Sequence, residues 1–75
     1  MTSRETGIGE KLRERRTALE WSLDKTAQQA GVARMTVIRA EAGQGVSLTN
    51  LVKIASALGL RLALIEADEA EAGQE

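Results

Sequence analysis

The chain has 75 residues and a net charge of −1, and it contains neither cysteine nor histidine. The absence of both residue types excludes a disulfide framework and a conventional zinc site, and we expect no metal or cofactor. Because so short a domain buries little of its surface, we expect two copies to associate as a homodimer. The sequence has no apolar run of about 18 residues, and it does not begin with a basic segment followed by an apolar one. We therefore expect neither a membrane span nor a signal peptide, and we expect a cytoplasmic location.

The chain begins with a polar arm that is followed by an amphipathic helix. Residues 1–7 show no apolar periodicity, so we expect them to form a flexible arm. The segment after the arm places three apolar residues on one helical face, at Ile8, Leu12 and Leu19. This spacing predicts a first helix that begins at Ile8 and is ended by residues 20–22.

Two short helices joined by a tight turn are predicted next. Ser22 is a suitable N-cap for a second helix over residues 23–30, because its side-chain oxygen can accept a hydrogen bond from a backbone amide of the first turn. Gly31 follows this helix at a position where φ is usually positive, which allows the chain to turn sharply. A third helix is then expected over residues 34–41.

A fourth helix is the clearest in the sequence, with Ser47 as its N-cap and Gly59 after its end. Its apolar residues recur at helical spacing, at Leu48, Leu51, Ile54, Ala55 and Leu58. We expect the leucines of this helix to lie in the core. Three further core residues are expected on the preceding helices, at Ala27, Val37 and Ala40.

Residues 60–65 alternate bulky apolar side chains with smaller or polar ones, which is typical of a half-buried strand. No second strand is evident in the sequence, so we expect this segment to pair with the same segment of a second copy in an antiparallel ribbon. A short fifth helix is the alternative, because leucine and alanine also favour helices. The residues expected at the dimer interface are Leu60, Leu62, Leu64 and Ile65.

The end of the chain is acidic, and this changes how the net charge is interpreted. Five of the eleven acidic residues fall within residues 66–75, which we expect to form a disordered tail. Residues 1–65 then hold ten basic and six acidic side chains, a net charge of about +4. The slightly acidic composition of the whole chain therefore does not argue against a nucleic-acid partner.

The spacing within residues 23–41 is the most informative feature. Ala27 is small where two helices would cross, Gly31 comes four residues later at the turn, and Val37 comes six residues after that as a plug between the helices. With its flanks, this pattern resembles the helix-turn-helix domain of the xenobiotic-response-element family of bacterial and phage regulators, which has the lambda-repressor-like fold. The resemblance covers most of residues 12–59. Its other matching residues are Trp21, Ser22, Ala30, Val32, Thr36, Glu41, Leu48, Ala57, Leu58 and Gly59.

Within this family the chain looks similar to the HipB type of antitoxin. There a Trp-Ser or Trp-Thr pair precedes the second helix, as Trp21 and Ser22 do here. A short apolar strand after the last helix builds a dimer sheet in those proteins, and residues 60–65 resemble it. The resemblance implies an all-α domain of four to five helices over residues 8–65, with a short C-terminal strand that pairs across a homodimer.

The resemblance implies that the third helix enters the major groove of double-stranded DNA. The residues that match base-contacting positions are Arg34, Met35, Thr36, Ile38 and Arg39. A guanidinium can donate two hydrogen bonds to O6 and N7 of guanine, whereas Met35 and Ile38 suit the methyl group of thymine. Thr36 could reach either a phosphate or a base edge, and Met35 and Ile38 could instead pack into the core.

Contacts to the DNA backbone are implied for the start of the second helix and the loop before the fourth, at Ser22, Leu23, Gly43, Gln44 and Ser47. Arg16 and Glu41 match an ion pair of the family that joins the first helix to the end of the third. The chain departs from the family at two positions, because Leu23 replaces a phosphate-binding glutamine and Ala33 replaces a capping serine or threonine. We expect a thinner phosphate clamp and a third helix that is less firmly capped, by about 0.5–2 kcal/mol.

These features predict a sequence-specific transcriptional regulator, a repressor or autorepressor that binds an inverted-repeat operator in the bacterial nucleoid as a homodimer. Such a protein could also be the antitoxin of a toxin–antitoxin pair. The alternative is a protein-interaction module that neutralises a partner toxin, such as a HipA-like kinase, with DNA binding secondary or absent. We do not expect an enzyme, because the chain has no histidine or cysteine and no pair of carboxylates in a predicted pocket.

Overall fold

The computed structural model of the chain describes residues 3–63. This range contains four helices, which are α1 (Ser3–Ala18), α2 (Leu23–Ala30), α3 (Arg34–Glu41) and α4 (Leu48–Ala57). α2 packs against both α3 and α4, and α1 packs against α3. Residues 3–63 contain no strand, so the expected all-α class is confirmed for this part of the chain.

α1 is interrupted near its start and ends in a strained turn. Gly7 has φ 36° and ψ −124°, which are not helical angles, so the uninterrupted helix begins at Ile8 as the sequence predicts. The predicted flexible arm, residues 1–7, overlaps the first part of this element, and its mobility stays a prediction. At the other end Glu20 has φ 61°, and the amide of Trp21 donates to the carbonyl oxygen of Arg16 at 3.0 Å. A side chain disfavours this left-handed conformation, which glycine adopts freely.

The turn between α2 and α3 is the one that the sequence predicts. Oγ of Ser22 accepts a hydrogen bond from the amide of Lys25 at 2.9 Å and caps the start of α2. Gly31 ends this helix with φ 73° and ψ 36°, and its amide donates to the carbonyl oxygen of Ala27 at 2.8 Å. Ala33 stands at the N-cap of α3 and makes no side-chain hydrogen bond, which confirms the missing cap.

Both ends of α4 are closed by hydrogen bonds. Oγ of Ser47 accepts a hydrogen bond from the amide of Asn50 at 3.1 Å, as expected for an N-cap. Gly59 follows the helix with φ 79°. Nε of Arg15 donates to the carbonyl oxygen of Leu58 at 2.8 Å, so a side chain of α1 caps the C-terminal end of α4. The sequence did not predict this role for Arg15.

The core lies where the four helices meet. Its buried apolar members are Leu12, Ala27, Val37, Ala40, Ile54, Ala55 and Leu58. The expectation that Ala27, Val37 and Ala40 are core residues is confirmed. The expectation for Leu48 is wrong, because its side chain is 69% exposed. Leu48 is the first residue of α4 and lies about 60° around the helix from the inward-facing Leu51, next to the exposed Val52.

α1 presents a different face to the core from the one that its apolar residues predict. Leu12 is buried, but Ile8 and Leu19 are exposed. The inward face consists of Gly9, Leu12 and Arg16, which recur at helical spacing and are buried or half-buried. Gly9 has no side chain and Arg16 is charged, so hydrophobic periodicity did not identify this face.

α1 crosses the end of α3 in backbone contact at Gly9. A Cβ atom added to Gly9 would lie 2.6 Å from the carbonyl oxygen of Glu41 and 2.7 Å from that of Ala40. Backbone atoms cannot move aside as a flexible side chain can, so a larger residue would push the two helices apart. The distance between α1 and α3 therefore depends on the absence of a side chain at residue 9.

The described range ends within the segment that is predicted to form the dimer interface. Residues 60–63 have no regular secondary structure, and the half-buried Leu60 and Leu62 pack against the core. Leu64, Ile65 and the acidic tail, residues 66–75, lie outside the described residues. The choice between a strand and a fifth helix, and the pairing across a dimer, therefore stay predictions.

We predict that Gly9→Ala destabilises the domain by about 1–3 kcal/mol, because overpacking against two carbonyl groups outweighs the better helix propensity of alanine. Chemical denaturation followed by circular dichroism measures this change. Gly45→Ala is the control, because a Cβ at Gly45 would meet nothing within 4 Å and we expect almost no change. Equal stability of the two variants would contradict the close crossing.

We predict that Glu20→Gly stabilises the domain by about 1 kcal/mol, because glycine removes the steric cost of the positive φ at the end of α1. Thermal unfolding should show a higher midpoint for this variant. The exposed Glu14 in the middle of α1 provides the contrast, since Glu14→Gly should lower stability by about 1 kcal/mol. A lower midpoint for Glu20→Gly would show that the turn carries no such strain.

Candidate nucleic-acid interface

α3 turns one side to the core and the opposite side to solvent. Val37 and Ala40 are buried on the inner side. At about 100° per residue, four of the five predicted base-contacting residues follow one another around an arc of about 140°. In order around the helix, these are Arg34, Ile38, Met35 and Arg39. The outer side of α3 is therefore a ridge of two cations with apolar side chains between them.

The residues of this ridge differ in how far they reach into solvent. Arg34 and Arg39 are exposed, and Met35 is 52% exposed. The alternative that Met35 packs into the core is therefore wrong. Ile38 and Thr36 are both half-buried, Ile38 within the arc and Thr36 at its border beyond Arg39.

Arg16 and Glu41, which the family resemblance implies as an ion pair, are joined by two hydrogen bonds. Nε of Arg16 lies 2.5 Å from Oε2 of Glu41, and Nη2 lies 3.2 Å from Oε1. Nη1 of Arg16 also donates to the carbonyl oxygen of Trp21 at 2.9 Å. One guanidinium thus connects α1, the turn before α2 and the last residue of α3.

The environment keeps Arg16 charged. Its side chain is 16% exposed, and that of Glu41 is 11% exposed. The hydrogen bond to Glu41 raises the pKa of Arg16 above its usual value, burial offsets part of the rise, and the negative charge of Glu41 adds to it. Removing one partner of such a partly buried pair is strongly destabilising, because the other charge is left without a partner. Arg16 therefore holds α3 in position and does not belong to the outer ridge.

The residues implied in DNA-backbone contacts retain different donors. The side-chain oxygens of Ser22 and Ser47 accept capping hydrogen bonds, which leaves each hydroxyl proton free to donate. The amide of Gly43 donates to the carbonyl oxygen of Ala40 at 3.2 Å, and that of Gln44 donates to Arg39 at 2.9 Å. These two amides are already engaged, so the exposed side chain of Gln44 is the donor that this part of the loop offers.

The start of α2 holds two charged residues that the sequence analysis did not assign to the site. Oδ1 of Asp24 lies 3.1 Å from Nε of Arg34, which brings the first turn of α2 against the start of α3. Nζ of Lys25 lies 5.5 Å from the centre of the half-buried Trp21 ring, within cation–π distance. Lys25 stands near the positive end of α2, where a cation is unfavourable for the helix, and this was the available signal for a functional role.

A second surface, separate from the ridge of α3, carries exposed apolar side chains. Ile8 of α1 and Leu48 and Val52 of α4 are exposed, and they line a groove with two residues that follow α4, Leu62 and Ala63. Apolar side chains that lie together in one groove expose apolar area to water unless another surface covers them. The half-buried Leu23 is not part of this groove and packs against the core.

The comparison with known proteins adds one match. The model of a helix-turn-helix family matches residues 12–65, which include all of α2, α3 and α4. No curated protein matches the chain. Among the helices in the described range, none is both long and apolar enough to cross a membrane.

We predict that Arg16→Lys destabilises the domain by about 1–3 kcal/mol, because a lysine ammonium cannot reproduce the two bonds to Glu41 together with the bond to Trp21. Urea denaturation measures the change. Arg13→Lys is the matched control on the same helix, since Arg13 is exposed and the substitution should change stability by less than about 0.5 kcal/mol. A similar small effect at Arg16 would contradict the anchoring of α3 by this residue.

Proposed function

Because the chain belongs to the helix-turn-helix family of the xenobiotic-response-element type, whose members are DNA-binding regulators, we propose that it is a homodimeric repressor that reads an inverted-repeat operator with α3. The observation that carries the proposal is the outer ridge of α3, with the opposite side of that helix buried. A helix about 10–12 Å wide fits the major groove, which is about 12 Å wide. The proposed place of action is the bacterial cytoplasm, at the nucleoid.

The side chains of the ridge suit base edges. Arg34 and Arg39 each present a guanidinium that can donate two hydrogen bonds to one guanine. Met35 offers apolar contact to a thymine methyl group, the half-buried Ile38 adds apolar surface within the ridge, and the half-buried Thr36 contributes at its border. Two guanines in each half-site, with a thymine between or beside them, are the operator features that this ridge fits.

Contacts to phosphates position the helix without reading the sequence. We assign them to the hydroxyl groups of Ser22 and Ser47, the side chain of Gln44 and the ammonium of Lys25. Leu23 contributes only its backbone amide, because its side chain is apolar and packs against the core. Residues 1–65 hold ten basic and six acidic side chains, which favours attraction to the DNA backbone.

The proposed dimer places two copies of α3 in successive turns of the major groove, about 34 Å apart. Its interface consists of the apolar segment after α4 together with the groove that adjoins it. The segment contributes Leu60, Leu62, Leu64 and Ile65, and the groove contributes Ile8, Leu48 and Val52. Covering the exposed side chains of Ile8, Leu48 and Val52 removes apolar area from water, which adds to the small core of so short a chain.

A second function is favoured by the same groove. An exposed apolar surface also suits a different protein, as in an antitoxin that binds and neutralises a toxin, such as a HipA-like kinase, and represses its own operon. The two functions separate by experiment, since substitutions on the ridge of α3 should abolish DNA binding and leave a protein complex through the groove intact. Co-purification of the ridge variant with the product of an adjacent gene measures the second function.

We predict that the combined substitution of Arg34→Ala and Arg39→Ala abolishes sequence-specific binding. Selection from a pool of random 30-base-pair duplexes, followed by sequencing, should enrich an inverted repeat for the wild type and none for the variant. Loss of each bidentate contact should cost about 5- to 150-fold in affinity for the selected sequence.

The control for this experiment removes the same number of positive charges elsewhere. Lys11 and Arg13 are exposed on α1, and the combined substitution of Lys11→Ala and Arg13→Ala should weaken binding without changing the enriched sequence. Circular dichroism establishes that both variants are folded. A wild-type protein that enriches no sequence, or a ridge variant that enriches the same one, would overturn the proposed function.

A further inference from the structure

The ion pair between α2 and α3 lies on the proposed DNA-reading surface. Asp24 belongs to the first turn of α2, and its Oδ1 lies 3.1 Å from Nε of Arg34, the first residue of α3. The side chains of Asp24 and Arg34 are 80% and 57% exposed. An ion pair this exposed contributes little to folding stability, so stability does not account for it. A carboxylate beside DNA phosphates also costs binding energy, which calls for a compensating role.

The electrostatics at the start of α3 give the first part of that role. Arg34 places a cation at the positive end of the helix, and Ala33 provides no side-chain cap. The dipole of α3 disfavours a fixed guanidinium at this position. Asp24 supplies a negative charge beside this cation, and its own place in the first turn of α2 is favoured by the dipole of that helix.

The geometry of the contact gives the second part. The closest contact of the guanidinium with Asp24 is an ion-pair contact at Nε, the nitrogen next to its own aliphatic stem, at 3.1 Å. The two terminal amino groups, Nη1 and Nη2, remain available as a fork. These are the donors that reach O6 and N7 of one guanine together. A guanidinium that is held at Nε loses fewer rotamers on binding than a free one, so less entropy opposes the contact.

The charge of Asp24 acts differently on DNA without a guanine at this position. There Arg34 gains only attraction to phosphates, and the adjacent carboxylate cancels most of that attraction. The same residue thus favours the matched sequence and disfavours the others. This combination raises the ratio of specific to non-specific affinity.

We propose that Asp24 is a positioning residue for sequence recognition, which holds Arg34 for a guanine and lowers the affinity for DNA that lacks it. The inference rests on the proposed function of α3 as the reading helix. It adds a residue of α2 whose effect on binding passes through a residue of α3.

Asp24→Asn tests this inference, since asparagine has nearly the same shape and no charge. The probes are the duplex that the wild type selects from the random pool and a scrambled duplex of the same composition. We expect affinity for the scrambled duplex to rise several-fold at low salt, and the ratio of the two affinities to fall by about fivefold or more. The guanine preference that Arg34→Ala removes should be weakened in the selected sequence.

Two controls separate positioning from bulk charge. Glu14→Gln makes the same change of charge at an exposed residue of α1, and it should strengthen binding to both duplexes without changing their ratio. In the background of Arg34→Ala, Asp24→Asn should have no further effect on the ratio. An unchanged ratio for Asp24→Asn alone, or an equal fall in both backgrounds, would overturn the inference while leaving the proposed function standing. If the wild type selects no sequence, the proposed function fails and this inference fails with it.

Discussion

The contact between α1 and the C-terminal end of α3 is the constraint on which the rest of the structure depends. A helix of eight residues is not stable alone, so its position comes from packing. Gly9 allows α1 to touch the carbonyl groups of Ala40 and Glu41, and Arg16 binds the side chain of Glu41 two turns further along α1. Backbone contact and ion pair meet at the same residue. The orientation of the outer ridge follows from this junction.

The N-terminal end of α3 is held in a different way. It has no side-chain cap, and its first side chain forms an ion pair with the exposed carboxylate of Asp24. α3 is therefore held by buried contacts at its C-terminal end and by an exposed ion pair at its N-terminal end. The departure from the family at Ala33 fits this division, because a hydroxyl cap would satisfy the helix end without engaging Arg34. In this chain the neighbouring helix places the carboxylate of Asp24 beside the guanidinium at that uncapped end.

The bounds of α2 and α3 were predictable from sequence, because capping by Ser22 and turning at Gly31 are local properties. The inward face of α1 was not, since it is formed by a glycine and an arginine whose burial depends on α3. Leu48 was misplaced for a similar reason, because a residue at a helix start can match the apolar period and still lie outside the packed face. The exposed residues of α3 followed from the family resemblance. The pairing of Asp24 with Arg34 did not, because it requires the crossing of two helices in space.

The bond from Arg15 to the carbonyl oxygen of Leu58 sets the direction in which the chain leaves α4. The chain turns at Gly59 immediately after this bond, and a Cβ at Gly59 would lie 3.2 Å from Nη2 of Arg15. The bond and this close approach together restrict the path by which the chain exits α4. In the proposed dimer this exit leads into the segment that joins the two copies. In that proposal, the distance between the two copies of α3, and with it the spacing of the operator half-sites, depends on the direction in which the chain leaves α4.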